Sequence, residues 1–330
     1  MWKHLSRAFM TATTGAVVLL MAACGSSTAA GSPSSLKIVV VPKTLGSSYW
    51  DVVQQGAQCA ASKYQNVTIV WDGTTAETDV SGQVSLLQNY ITQKPSGIIY
   101  AATDAKSLTL VNTQAKAQGI PIENIDSGTD PQDIPLFATN NSNSASKAAD
   151  LLGQALNGAG NIAIVEFVPG SATNDQRVNG FKTELAAKYP NIKIVAQQAD
   201  DSDNNKALNV TQDILSKHPD LNGIFAANDQ SATGAAQAVK NAGKGGVVKI
   251  VGWDASAPEQ ADVKDGSISA LVLQNPFKMG YESVKSLVHQ LRDGVASATE
   301  DTGVTFVTPD NLTSTQITAA LTPTCANQSS

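Results

Sequence analysis

Twice in succession the chain alternates short β-branched runs with stretches of helical period, and run after run ends on a polar side chain. The runs are Ile38 to Val41 before Lys43, Ile120 to Ile125 before Asp126, Ile224 to Ala227 before Asn228, Val247 to Trp253 before Asp254, and Ile268 to Leu273 before Gln274. Strand–helix alternation at this spacing gives βαβ units and a parallel sheet. Ligands of open parallel sheets sit beyond the carboxyl ends of the strands, so these polar residues would line one cleft. The first series predicts strands at 36–41, 67–71, 97–101 and 120–125, with helices at about 49–64, 79–94 and 106–118. After a short strand at 137–140, a second series places strands at 161–167, 192–197, 223–227 and 247–252, with helices near 144–157, 175–188, 204–217 and 230–242. Gly119-Ile120-Pro121 and Lys217-His218-Pro219 stop helices, and Asp79 and Asn143 are candidate N-caps.

At 330 residues the chain is too long for one comfortable core and fits two domains. An amphipathic helix from Pro276 to about Arg292 and a last strand at 304–308 would return first to one half and then to the other. The expected lobes are therefore 36–140 plus 276–303 and 141–275 plus 304–330, joined by parallel crossings that make a hinge. The fold class is α/β, two Rossmann-like parallel-sheet lobes with a three-strand hinge. Hydrophobic residues at 42%, charged residues at 15% and a net charge of −6 fit a folded globular protein and argue against a nucleic-acid surface.

Lys3, His4 and Arg7 precede an apolar stretch from Ala16 to Ala23, the layout of a secretory signal over 1–23. Leu20-Met21-Ala22-Ala23-Cys24-Gly25 resembles the lipobox of bacterial lipoproteins. The resemblance implies a lipidated Cys24, an extracytoplasmic location and anchoring to the cell membrane. Residues 24–35 carry no bulky apolar side chain and read as a flexible tether. In an oxidising compartment the other cysteines, Cys59 and Cys325, are expected to pair, which would staple the C-terminus to the first lobe.

Five short motifs occur in order at matching spacing. They are Pro42-Lys43-Thr44-Leu45-Gly46-Ser47-Ser48-Tyr49-Trp50; Gly119-Ile120-Pro121 leading to Asp126; His218-Pro219-Asp220 leading to Ala227-Asn228-Asp229; Val251-Gly252-Trp253-Asp254; and Gln274-Asn275-Pro276. Over about Leu36 to Pro309 the chain resembles the type I periplasmic sugar-binding proteins of the ribose-binding family, which includes the ligand-binding halves of LacI-type repressors. The first half, with Val41-Pro42-Lys43 and Trp71-Asp72-Gly73, is most similar to the rhamnose and furanosyl-autoinducer receptors. The resemblance implies ligand contacts from Ser47, Asp126, Asn228, Asp254 and Gln274, with Tyr49 and Trp50 as paired aromatics, one of them turned into the core. Similarity to the signal receptors adds Lys43 and the pair Asp175-Gln176. Ser127 and Asp175 stand where ribose binders carry arginines, which implies a cleft made acidic by Asp126, Asp175 and Asp254.

Carboxylates and amides form paired hydrogen bonds to vicinal hydroxyls, while aromatic faces cover the C–H side of a sugar. No GxSxG elbow, HExxH helix or Walker-type loop is present, and the lone His218 and His289 suggest no metal site. The sequence therefore implies a binding protein without cofactor or catalytic residues, in monomeric form, that delivers a small sugar or polyol to an ABC permease. The alternative is a sensory receptor for a sugar-like signal. A repressor would need a DNA-binding segment before Leu36, where the signal and tether stand instead.

Overall fold

The computed structural model describes residues 35–327; the signal segment, Cys24 and the tether up to residue 34 lie outside the described residues. The first lobe opens with β1 (Leu36–Val41), α1 (Ser48–Ser62), β2 (Val67–Trp71), α2 (Val80–Gln93), β3 (Gly97–Tyr100), α3 (Thr109–Ala117), β4 (Ile122–Ile125) and β5 (Leu136–Ala138). The chain then crosses to the second lobe. There it forms α4 (Asn141–Ala155), β6 (Ala159–Glu166), α5 (Ala172–Lys188), β7 (Asn191–Ala199), α6 (Asn204–Lys217), β8 (Leu221–Ala226), α7 (Asp229–Asn241), β9 (Lys249–Trp253), α8 (Ala257–Lys264) and β10 (Ala270–Gln274). It returns to the first lobe as α9 (Pro276–Asp293) and β11 (Glu300–Asp301), then crosses again to β12 (Val304–Val307) and α10 (Thr315–Leu321).

One sheet runs β2-β1-β3-β4-β5-β11, parallel throughout, and the other β7-β6-β8-β9-β10-β12, in which only β12 is antiparallel. The 2-1-3-4-5 order in each lobe is that of a doubly wound fold, whose ligand crevice lies at the strands' carboxyl ends. Ile38 and Val40 belong to one core cluster and Val39 and Val41 to another, because successive side chains leave opposite faces of a strand. Helices cover both faces, so the strands read as continuous apolar runs.

Close helix packing positions the start of α1. A Cβ on Gly56 would lie 2.0 Å from the Phe277 carbonyl oxygen, and one on Gly280 would lie 2.0 Å from that of Val53. Only glycine at both positions lets the returning α9 press against α1. Some of the sequence expectations need correction. Asn140, not Asn143, caps α4, its Oδ1 accepting from the Asn143 N–H at 3.2 Å; in a run of four cap-competent residues the outermost one is used. The strand starting near Val247 begins two residues later, at Lys249. Helices α8 and α10 and the two-residue β11 gave no periodic signal long enough to read.

Candidate functional site

The carboxyl ends of the two sheets face each other across one cleft. Its first-lobe wall carries Lys43 after β1, Ser47, Tyr49 and Trp50 at the start of α1, Glu77 before α2, and Asp126 after β4. Its second-lobe wall carries Phe167 after β6, Thr173 and Arg177 on α5, Asn228, Asp229 and Gln230 at the start of α7, Asp254 after β9, and Gln274 ending β10. The free space among these side chains, mouth included, is ≈ 340 Å³.

Asp126 and Asp254 follow equivalent strands of the two lobes, and both hold left-handed backbone, with φ of 58° and 76°. Aspartate tolerates this region better than a branched residue does, and the turn ends the strand abruptly with the carboxylate at the cleft. The Tyr49 hydroxyl donates to Asp126 Oδ1 at 2.8 Å, and Gln274 Nε2 donates to Asp254 Oδ1 at 2.8 Å. Burial pushes Asp254 up to about 7, against the opposing pull of Arg177 and the Gln274 bond. Burial likewise raises Glu77 above the usual carboxylate range although Lys43 opposes it, and Glu77 is hydrogen-bonded to Trp50. Tyr49 is raised well above the usual phenol range by burial and then by the Asp126 charge.

Lys43 is a buried bridge between the lobes. Its ammonium donates to Ser171 Oγ at 2.8 Å and Thr173 Oγ1 at 2.7 Å in the second lobe, and lies 3.7 Å from Asp126 in its own. Burial lowers its pKa, with Glu77 and Asp126 pulling the other way. Nearby, the Ala105 N–H donates across the cleft to the Gly170 carbonyl at 3.0 Å. The lobes therefore touch on the side away from the hinge.

The expectations for α5 are corrected. Asp175 and Gln176 are exposed and lie outside the cleft, and Asp175 Oδ1 instead accepts from the Gly170 N–H and Asn174 Nδ2. A helix turns 100° per residue, so Thr173 and Arg177, four apart, share the cleft face while 175 and 176 point elsewhere. Arg177 is among the cleft residues the sequence reading missed, with Glu77, Phe167, Thr173, Asp229 and Gln230, and it is 3% exposed. It donates to Asn141 Oδ1 at 2.8 Å, to the Ala227 carbonyl at 2.9 Å and to Gln274 Oε1 at 3.1 Å. Its guanidinium also stands 4.2 Å from the Trp253 ring centre and 5.6 Å from that of Phe167. Lys43 and Arg177 stand among four carboxylates, Glu77, Asp126, Asp229 and Asp254, so the cleft holds more acids than bases, but Asp175 is not one of them.

The remaining expected residues line the cavity. Asn228 also caps α7 through Oδ1 while its Nδ2 donates to Ser202 and Gln230, and Trp50 is at once a cleft residue and part of the first-lobe core. Tyr49 and Trp50 meet edge to face at 5.1 Å. Cys59 and Cys325 are joined by a disulfide with a Cα–Cα distance of 5.5 Å. Among the described residues no cluster of three or more metal-ligating side chains occurs, and no helix is long and apolar enough to cross a membrane.

Residues 38–296 match the periplasmic binding protein domain family. This chain belongs to that family. The D-allose-binding periplasmic protein of Escherichia coli strain K12 is 31% identical over 270 residues, covering 79% of this chain and 86% of that protein. The xylitol-binding protein of Mycolicibacterium smegmatis is 31% identical over 266 residues, 80% of this chain and 74% of the relative. A carbohydrate transporter solute-binding protein from Agrobacterium radiobacter, solved with D-arabinose, superposes with a TM-score of 0.84 at 32% identity, over 88% of this chain and 100% of that one. Within the family this chain is of the ribose-binding, type I branch, an extracytoplasmic sugar-binding protein of ABC transporters and not an enzyme.

Proposed function

We propose that the chain is the lipid-anchored, monomeric solute-binding component of an ABC importer, and that it captures a small sugar or polyol by closing its two lobes. One observation carries the reading: Asp126 and Asp254, at equivalent positions of opposite lobes, reach the same ≈ 340 Å³ cleft. A molecule with hydroxyls on both edges can bond to both lobes at once, and hydrogen bonds to charged groups contribute ~1.5–3 kcal/mol each. Such a ligand favours the closed state because only that state supplies both sets of partners. Tyr49, Trp50 and Phe167 supply aromatic surface for the C–H faces of a sugar ring.

The relatives support the ligand class, since the proteins named above bind a hexose, a polyol and a pentose. Lys43 and Arg177 offset two of the four cleft carboxylates, and burial shifts Glu77 and Asp254 towards their neutral forms, which favours a neutral polyhydroxylated ligand over an amine. Lipidation at Cys24 rests on the lipobox-like segment alone, and two or more acyl chains at ~0.8 kcal/mol per buried methylene would hold the protein at the membrane. A thermal-shift screen over pentoses, hexoses, deoxysugars and polyols, followed by titration calorimetry, tests the reading. A rise in Tm with saturable binding of one such compound is expected, and no response across the panel would reject it. Radioactive palmitate should label the wild type and not Cys24→Ser; equal labelling of both would reject the anchor.

A further inference from the structure

The sugar-binding reading gives no role to the last described segment, although that segment touches both lobes. Ile317 on α10 is 2% exposed within the core of the second lobe, where Leu312 and Leu321 pack beside it. Cys325 packs against the core of the first lobe and is bonded to Cys59 on α1. Between Leu321, seated on one lobe, and Cys325, tied to the other, stand only Thr322, Pro323 and Thr324. Four peptide steps span at most about 14 Å when fully extended.

The crossing lies on the cleft side of the molecule. Ala320, Leu321 and Pro323 face Ser48, Tyr49 and Val52 of α1 across a second cavity of ≈ 700 Å³, mouth included, which shares Tyr49, Asp229 and Asp254 with the candidate sugar site. Parting the lobes at the site withdraws Tyr49 from Asp254. The same movement withdraws α1 from α10 and stretches the segment between them. The hinge passages at 138–141, 274–276 and 301–304 can absorb rotation, whereas this link cannot lengthen beyond about 14 Å.

We infer that Leu312–Cys325 is a covalent strap of limited length that caps how far the two lobes can separate. The inference rests on the two-lobe closure proposed above and adds a constraint on the open state. By shrinking the set of open conformations, the strap lowers the entropy lost on closure. A larger share of the ligand-free molecules then lies close to the binding geometry, which strengthens the apparent affinity. The strap forms only where the disulfide can form, outside the reducing cytoplasm.

Single-molecule energy transfer on the full-length chain in detergent tests the strap. Dyes are carried by keto amino acids at Leu110 on α3 and Gln176 on α5, both exposed, so that no cysteine is used. Without sugar, Cys59→Ser/Cys325→Ser should shift the dyes several ångström further apart than in the bonded wild type, and D-allose affinity should weaken 2- to 10-fold. Because the unbonded variant is also less stable, two further chains keep the bond and insert four or eight Gly/Ser residues after Pro323. These should widen the ligand-free separation in step with the insertion while leaving the melting temperature near that of the wild type. Unchanged separation in both the unbonded and the inserted chains would overturn the strap. If D-allose closes none of them, the ligand choice or the sugar reading fails, while the ligand-free comparison still decides the strap.

Discussion

Asp254 combines a left-handed backbone, a bond from Gln274 and a pKa near neutrality set by burial. A ligand hydroxyl donating to it stabilises the ionised form and lowers its pKa in the complex. The sign follows: affinity rises as pH climbs towards and through about 7, and binding near pH 7 releases a proton. Asp254→Ala should weaken binding by ~2 kcal/mol, roughly 30-fold, because ligand hydroxyls and the Gln274 amide lose their acceptor. Asp254→Asn keeps the shape and should abolish the proton release. Calorimetry in buffers of different ionisation enthalpy reads both effects, and an Asn variant that still releases the proton would remove Asp254 from the site. Asp254 was legible from sequence because a buried parallel strand ends where its apolar run ends, and the next polar residue must lie at the sheet's carboxyl edge. The same logic found Lys43, Asp126, Asn228 and Gln274. It could not find Glu77, which comes from an irregular loop between β2 and α2 with no period to place it, and Phe167 was absorbed into the apolar run of β6.

At the scale of elements, period reveals that a helix exists more readily than which way it faces. The helix over 175–188 was anticipated, yet its true start at Ala172 decides that Thr173 and Arg177, not Asp175 and Gln176, meet the cleft. Strand β4 holds a different hidden feature: Glu123, fully buried, bonded through Oε1 to Ser297 of the segment between α9 and β11, with Oε2 unpaired. Burial pushes its pKa up to about 8, against the Ser297 bond. In the unfolded chain this group ionises near 4.5. Between those values the folded chain holds a proton that the unfolded chain releases, so stability from this group is full below about 4.5 and falls as pH rises to about 8. The loss from pH 5 to 8 is on the order of 3–4 kcal/mol, at ~1.4 kcal/mol per unit. Glu123→Gln should remove that slope and make the protein more stable than wild type at pH 8. Urea unfolding at pH 5 and pH 8 measures it, and parallel pH profiles for the two proteins would refute the assignment.

The whole molecule was legible in outline because the strand–helix series occurs twice and the chain then returns for one late helix and one late strand. The parallel sheets follow from that rhythm and the hinge from the returns. The contact that holds the lobes together was not readable, since Lys43 finds Ser171 and Thr173, 128 and 130 residues away, only after both lobes have formed. These bonds hold the lobes together in the structure described here, so the ligand competes for, or adds to, a closed state that Lys43 already favours. Lys43→Met keeps most of the volume and removes the charge; Ser171 and Thr173, 3.2 Å apart, can then bond each other, and Asp126 retains Tyr49. The cost therefore falls on closure more than on folding, about 1–2 kcal/mol, or roughly 10-fold in affinity. Small-angle scattering should show the ligand-free variant more extended than the ligand-free wild type, with both reaching the same dimensions at saturating sugar. If calorimetry records binding while the scattering of the variant matches the wild type without sugar, Lys43 does not set the balance between open and closed lobes.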